Sequence, residues 1–274
     1  MEKILFDSHA HINEERFNDN REELCSEIAS SALAYVMDIG YDLESSERAA
    51  ADAAAWEFCY AAVGCHPHDT KTMDEAGLVR IRELAGRPKV QAIGEIGLDY
   101  HYDNSEREVQ QYWFRRQLRL AKELRLPIVI HDRDANDDVL RILKDEGIFS
   151  AERTACFPPQ PDGAPDARLL LHCFSGSREL ARQYVKLGAT ISIAGPVTFK
   201  NARKTVEVVE DTDLSRLLVE TDSPYLTPEP LRGRVNKPVY VEHTARRVAE
   251  IKGLTPEEAA EATCRNAKRF FNIR

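Results

Sequence analysis

Along this chain, short apolar and β-branched runs alternate eight times with longer amphipathic stretches. The runs are Ile4–Phe6, Ala34–Ile39, Phe58–Val63, Val90–Ile93, Pro127–Ile130, Leu169–Leu171, Thr190–Ile193 and Leu217–Val219. Helical patterns run over Arg21–Ser31, Ser45–Glu57, Gln110–Leu124, Asp137–Lys144, Ser177–Lys186, Asn201–Val209, Val239–Ile251 and Thr255–Phe271. In Gln110–Leu124, apolar residues at Trp113, Phe114, Leu118, Leu120, Ala121 and Leu124 fall on one face of a 3.6-residue helix. Thr255-Pro256-Glu257-Glu258 is a helix start, with threonine as N-cap and proline in the first turn. Parallel strands need helical crossovers, and eight strand–helix units predict an α/β (β/α)8 TIM barrel, distorted, with additional C-terminal helices. A doubly wound sheet also alternates, but with fewer strands and a glycine-rich phosphate loop. No such loop occurs here. The 274 residues (1–274) are expected to form a single domain around this barrel.

Other features narrow the class. No apolar run reaches 18 residues, which argues against a transmembrane helix, and the N-terminus lacks a signal peptide's apolar region. A cytoplasmic protein is expected. Its six cysteines show no C-x-x-C spacing and are read as reduced, most of them small core residues. The net charge of −9 excludes a strongly basic nucleic-acid binder, but not an enzyme whose basic residues cluster at its site. The proline-rich segment 157–165 precedes the sixth strand, so a barrel would place it at the N-terminal face, away from the chemistry.

Seven of the eight histidines close predicted strands, and a barrel gathers strand C-termini at one mouth. His9 and His11 end the first strand two residues apart and share a side. Glu95 follows the fourth strand between glycines, His131 ends the fifth, His172 the sixth, and Asp222 follows the eighth, beside the first in a closed barrel. His9, His11, Glu95, His131, His172 and Asp222 thus form a four-histidine, two-carboxylate set. It offers ligands for two divalent metal ions (Mg, Mn or Zn) bridged by Glu95, an arrangement suited to hydrolysis. Asp222 is also placed to take a proton from water.

Seven ordered motifs carry a resemblance over essentially the whole chain: Asp7-Ser8-His9-Ala10-His11, Gly64-Cys65-His66-Pro67-His68, Gly94-Glu95-Ile96-Gly97-Leu98-Asp99-Tyr100, Pro127-Ile128-Val129-Ile130-His131, His172-Cys173-Phe174-Ser175-Gly176, Gly195-Pro196-Val197-Thr198-Phe199-Lys200 and Glu220-Thr221-Asp222-Ser223-Pro224-Tyr225-Leu226. The chain resembles the TatD-type metal-dependent hydrolases, DNases of the amidohydrolase-like superfamily. That resemblance implies one ion on His9, His11, Glu95 and Asp222 and another on Glu95, His131 and His172. It also implies metal-dependent, often exonucleolytic, DNA hydrolysis.

The expected activity is therefore that of a 3′–5′ deoxyribonuclease. A metal-activated water attacks phosphorus, with Asp222 and Glu95 as catalytic residues. Nucleic acid is the expected partner, DNA before RNA, with no membrane and no obligate protein partner. His66, His68, Arg133, Lys200, Arg232 and Arg234 are candidate substrate contacts. Tyr100 and Tyr225 are candidates to stack a base at the rim, and His101 is a candidate to support a ligand. The alternative is a two-metal hydrolase of carbonyl substrates: an aminoacyl-tRNA ester, a small ester or an amide. Glu95 stands where many amide-cleaving relatives carry a carboxylated lysine, which weakens that alternative. The intact ligand set argues against a non-catalytic binding module.

Overall fold

The computed structural model describes residues 3–274. Eight strands run Leu5–Ala10 (β1), Leu33–Ile39 (β2), Cys59–Val63 (β3), Val90–Asp99 (β4), Ile128–Arg133 (β5), Leu169–Leu171 (β6), Thr190–Ile193 (β7) and Leu217–Val219 (β8). They pair in sequence order, all parallel. The helices are Arg21–Ser30 (α1), Leu43–Ala55 (α2), Glu75–Ala85 (α3), Arg107–Leu124 (α4), Asn136–Asp145 (α5), Ala151–Thr154 (α6), Arg178–Lys186 (α7), Arg203–Asp211 (α8), Val241–Lys252 (α9) and Pro256–Phe270 (α10). This is the expected (β/α)8 barrel with its C-terminal helices.

The seam between β8 and β1 is held mainly by side chains. One parallel bridge, Ala10 with Ser223, joins the strand ends. The Asp222 amide donates to the His9 carbonyl at 2.9 Å. Asp7 accepts from the Thr221 backbone at 2.9 Å and from its hydroxyl, and the Ser8 hydroxyl donates to the Val219 carbonyl at 3.0 Å. Polar side chains thus substitute for ladder bonds beside two of the expected ligands.

The barrel interior holds Phe6, Met37, Ile39, Ala62, Ala92, Val129, Leu170 and Leu218, packed against Phe270, Phe271 and Ile273 from the chain's end. The C-terminal end of α10 therefore plugs the bottom of the barrel. A larger apolar layer fills the space between strands and helices, as burial of both faces of a parallel sheet requires. The N-cap of α10 is Thr255, whose side chain accepts from the Glu258 amide in a reciprocal capping box with Pro256 in the first turn, as its sequence predicts. The segment 157–165 does lie at the bottom face: Asp162 pairs with Arg216, just before β8, at 2.9 Å.

The structure differs from the sequence expectation in three places. β1 runs on through His9 to Ala10, and β4 runs on through Glu95 to Asp99. These strand ends are buried, but carry polar side chains into the mouth, so their apolar signal stops early. Helix α3 lies outside the helical patterns above. Its start is set by Asp74, whose side chain accepts from the Gly77 amide, and it buries only a narrow stripe of Ile81, Leu84 and Ala85 beside Gly77. No described helix is long and apolar enough to cross a membrane.

Candidate metal centre

Glu95 enters the mouth from β4 and is buried. Its two oxygens face different neighbours. Oε2 lies 3.3 Å from His9 Nε2 and 3.9 Å from His11 Nε2. Oε1 lies 2.7 Å from both His131 Nδ1 and His172 Nε2, and 3.5 Å from His66 Nε2. Asp222 closes the first group, with Oδ1 3.4 Å from His11 Nε2 and 3.8 Å from His9 Nε2. Donor atoms of His9, His11 and Glu95 all lie within 4.8 Å of one another, as do those of His66, Glu95 and His131, and of His9, His172 and Asp222.

Backbone and carboxylate partners orient the imidazoles. His11 Nδ1 meets the Ile39 carbonyl at 2.8 Å. A carbonyl only accepts, so Nδ1 carries a hydrogen and Nε2 is the atom turned to the centre. His131 Nε2 lies 3.1 Å from Asp99 Oδ2, and His172 Nδ1 lies 3.3 Å from Glu220 Oε1. His9 differs: it is wholly buried, it stacks on His172 at 3.9 Å, and neither ring nitrogen has a hydrogen-bond partner. An unpartnered buried imidazole beside two carboxylates fits a metal ligand, because such a nitrogen otherwise loses its hydration without compensation. The donor set fits divalent cations.

Electrostatics at the centre point the same way. Burial alone would raise the Glu95 pKa, but His172, His66 and His9 hold it well below the usual range. Burial likewise opposes ionisation of Asp222, yet its hydrogen bond with His11 and the nearby imidazoles keep it low. Burial pulls His11 down, and Asp222 and Glu95 more than reverse this, to about 9. His172 is carried well above the ordinary value against its burial by Glu95 and Glu220. Burial, then like-charged neighbours, lowers His9 and His66, which favours the neutral form of both; His66 Nδ1 accepts from the His68 amide at 3.2 Å. Two ionised carboxylates, two neutral imidazoles and three that hold protons a cation would replace describe a centre built for positive charge.

Residues 6–272 match the family described as TatD related DNase. The chain belongs to that family. It is 44% identical over 270 residues to YabD of Bacillus subtilis (strain 168), described as an uncharacterized metal-dependent hydrolase; the match covers 98% of this chain and 100% of that protein. It is 34% identical to the 3′-5′ ssDNA/RNA exonuclease TatD of Cronobacter sakazakii, over 97% of each chain. Among solved structures, the TatD homologue YJJV of Escherichia coli superposes with a TM-score of 0.87 at 28% identity, over all of both chains. This TatD-family protein is thus a metal-dependent hydrolase, and the clustered histidines, glutamate and aspartate are where metal would be held.

Around the centre this TatD-family hydrolase has an open cavity of about 580 Å³, lined by His11, His68, Glu95, His131, Asp222 and Tyr225, among others. Five of the six expected ligands line it, and His9 lies buried behind them, 3.3 Å from Glu95. Of the candidate substrate contacts, His66, His68 and Arg133 line the cavity. His66 also stands among the donor atoms themselves. Lys200, Arg232 and Arg234 are exposed and lie outside the lining, with Arg232 stacked 4.5 Å from the Phe199 ring. Tyr100 is committed elsewhere: its hydroxyl donates to Asp138 at 2.7 Å and Arg107 covers its ring. Tyr102, two residues on, takes the place at the rim. His101 pairs with Asp134 at the surface, 3.0 Å away, and supports no ligand.

Two carboxylates that sequence reading gave no role prove central to the geometry. Asp99 holds His68 Nε2 at 2.9 Å and His131 Nε2 through one oxygen, and Glu220 backs His172. Both sit inside motifs already quoted, so their presence was visible. Their partners, 31 or more residues away in sequence, were not.

Proposed function

We propose that this chain is a two-metal phosphodiesterase that trims nucleic acid from a 3′ end, with single-stranded DNA preferred over RNA. The observation that carries the reading is Glu95, whose two oxygens face separate donor groups across one buried carboxylate. In this reading His9, His11, Glu95 and Asp222 hold one cation, and Glu95, His131 and His172 the other, with His66 at the second group's edge. Divalent cations there would lower the pKa of water and neutralise charge on the phosphoryl oxygens. Asp222, ionised and facing the cavity, accepts the proton of the attacking water. His68, fixed by Asp99, faces the leaving oxygen, and Arg133 meets the phosphate from the opposite wall. Lys200, Arg232 and Arg234 reach only nucleotides beyond the cavity. The 34% identical relative named as a 3′-5′ ssDNA/RNA exonuclease supports this reading.

The test is digestion of a 5′-labelled single-stranded oligonucleotide with Mg²⁺ or Mn²⁺, alongside chelated protein and Glu95→Ala. A ladder shortening from the 3′ end, abolished in both controls, is expected. No cleavage with any divalent ion, in protein shown to carry metal, overturns the nuclease reading in favour of ester or amide substrates.

A further inference from the structure

Two arginine–tyrosine stacks stand on opposite sides of the mouth. The Arg16 guanidinium lies 5.1 Å from the centre of the Tyr225 ring, and Arg133 lies 5.0 Å from that of Tyr102. Arg16 and Tyr225 follow β1 and β8; Tyr102 and Arg133 follow and end β4 and β5. In a closed eight-stranded barrel the β8–β1 seam faces the β4–β5 pair, so Glu95 and the histidines lie between the two stacks. Both rings are open to solvent, Tyr225 by 40% and Tyr102 by 55%. Several surface arginines elsewhere are ion-paired, as Arg80 is with Glu47, Arg82 with Glu123 and Arg119 with Glu146; Arg232, stacked on Phe199, is not, but it lies outside the cavity. Among the described residues Arg16 and Arg133 have no such carboxylate partner and no side-chain hydrogen bond, and each guanidinium lies over its tyrosine ring instead.

Among the described residues Arg133 is also the only lysine or arginine lining the cavity, which Glu14 and Asp69 line as well. No run of basic side chains tracks a strand through the cavity, so backbone charge is a weak source of affinity. An exposed ring carrying an unpaired guanidinium, in contrast, offers a flat surface to a base and a cation to the adjoining phosphate. Resting on the nuclease reading above, we propose that these two stacks hold the two nucleotides flanking the scissile phosphate: Arg16–Tyr225 on one side, Arg133–Tyr102 on the other. Stacking of unpaired bases, not a phosphate-tracking groove, then supplies substrate affinity, and bases already paired and stacked within a duplex are refused. Tyr102 and Tyr225 are the specificity-determining residues.

The experiment measures kcat and KM with Mn²⁺ on a single-stranded oligonucleotide, and on the same oligonucleotide with an abasic spacer at its terminal or penultimate nucleotide. Each spacer is expected to raise KM roughly tenfold on the unaltered protein, with little change in kcat. Tyr102→Ala and Tyr225→Ala each raise KM by about the same factor, and each becomes indifferent to one of the two spacers. Tyr102→Phe and Tyr225→Phe restore the original KM. With two phosphates contacted, log(1/KM) falls with log salt at a slope of about −1.4, and Arg16→Gln or Arg133→Gln each reduces the slope by about 0.7. Shortening of the oligonucleotide with a KM blind to spacers and to both alanine variants overturns this proposal and leaves the nuclease reading standing. No shortening of any oligonucleotide by the metal-loaded, unaltered protein overturns both.

Discussion

In the proposed two-metal reading, Glu95 and His11 set the terms on which this protein takes up metal. The His11 pKa of about 9 means that below that pH a cation displaces a proton from Nε2. Metal affinity is therefore expected to rise with pH, up to about tenfold per unit for each proton displaced, with the His11 contribution levelling off above about 9. Calorimetric titration in buffers of differing ionisation enthalpy would count the protons released, and an affinity flat from neutral pH upwards would contradict the assignment. The same raised value stabilises the metal-free protein. That contribution is fully present below the ordinary imidazole range and is lost as pH rises through about 9. Behind the ligands, Asp99→Asn and Glu220→Gln should each weaken metal affinity about 10- to 100-fold, because they loosen the orientation of His131 and His172 without removing a donor. Equilibrium dialysis against a competing chelator measures this, and unchanged affinity in both variants would remove the supporting role.

Strand β4 does more than carry Glu95. Its end lies so close to β5 that a side chain at Gly97 would put a Cβ 1.9 Å from the His131 carbonyl oxygen, and the backbone there has φ +151°. A Cβ at Gly94, with φ +154°, would meet Val129 at 2.7 Å. The glycines flanking Glu95 are thus what lets two ligand-bearing strands approach each other. Gly97→Ala is expected to cost ~3 kcal/mol or more, a fall in Tm of roughly 6–12 °C, because the obstacle is backbone and cannot swing aside. Metal content should fall with it, since His131 moves with its carbonyl. A variant melting like the original protein would show that β5 yields more easily than this geometry allows.

Taken whole, the molecule separates chemistry from closure. The mouth holds ionisable groups at its floor, and the bottom is sealed by α10. Arg168, almost completely buried just before β6, donates to the carbonyls of Arg269 and Phe270 and to the Asn272 side chain, and its Nε lies 3.2 Å from buried Asp166. One guanidinium thus satisfies the last carbonyls of the closing helix and neutralises a buried carboxylate. Arg168→Ala should cost about 3–5 kcal/mol by removing the buried cation beside Asp166 and the side-chain donors to those carbonyls. It should leave turnover per folded molecule unchanged, because the centre lies at the other end of the barrel. Thermal melting with activity measured well below Tm would show both; a loss of kcat in protein still folded would mean the two ends are coupled.

Sequence alone decided the architecture and which candidate ligands share one mouth. Eight apolar runs separated by amphipathic stretches leave a parallel barrel as the arrangement that buries both strand faces, and a barrel forces His9, His11, Glu95, His131, His172 and Asp222 to one mouth. Those inferences need only periodicity and connectivity, which are local. What tertiary structure alone decided was pairwise. It showed that Glu95 divides its oxygens between two groups, that Asp99 and Glu220 stand behind His131 and His172, and that His66 joins the donors. It also showed that Tyr102, not Tyr100, reaches the rim, and that Lys200, Arg232 and Arg234 lie outside the cavity. Each of these depends on distances between residues on different strands and loops. Such distances are set by strand register, strand twist and the close approach at Gly97, so they exist only once the barrel has closed.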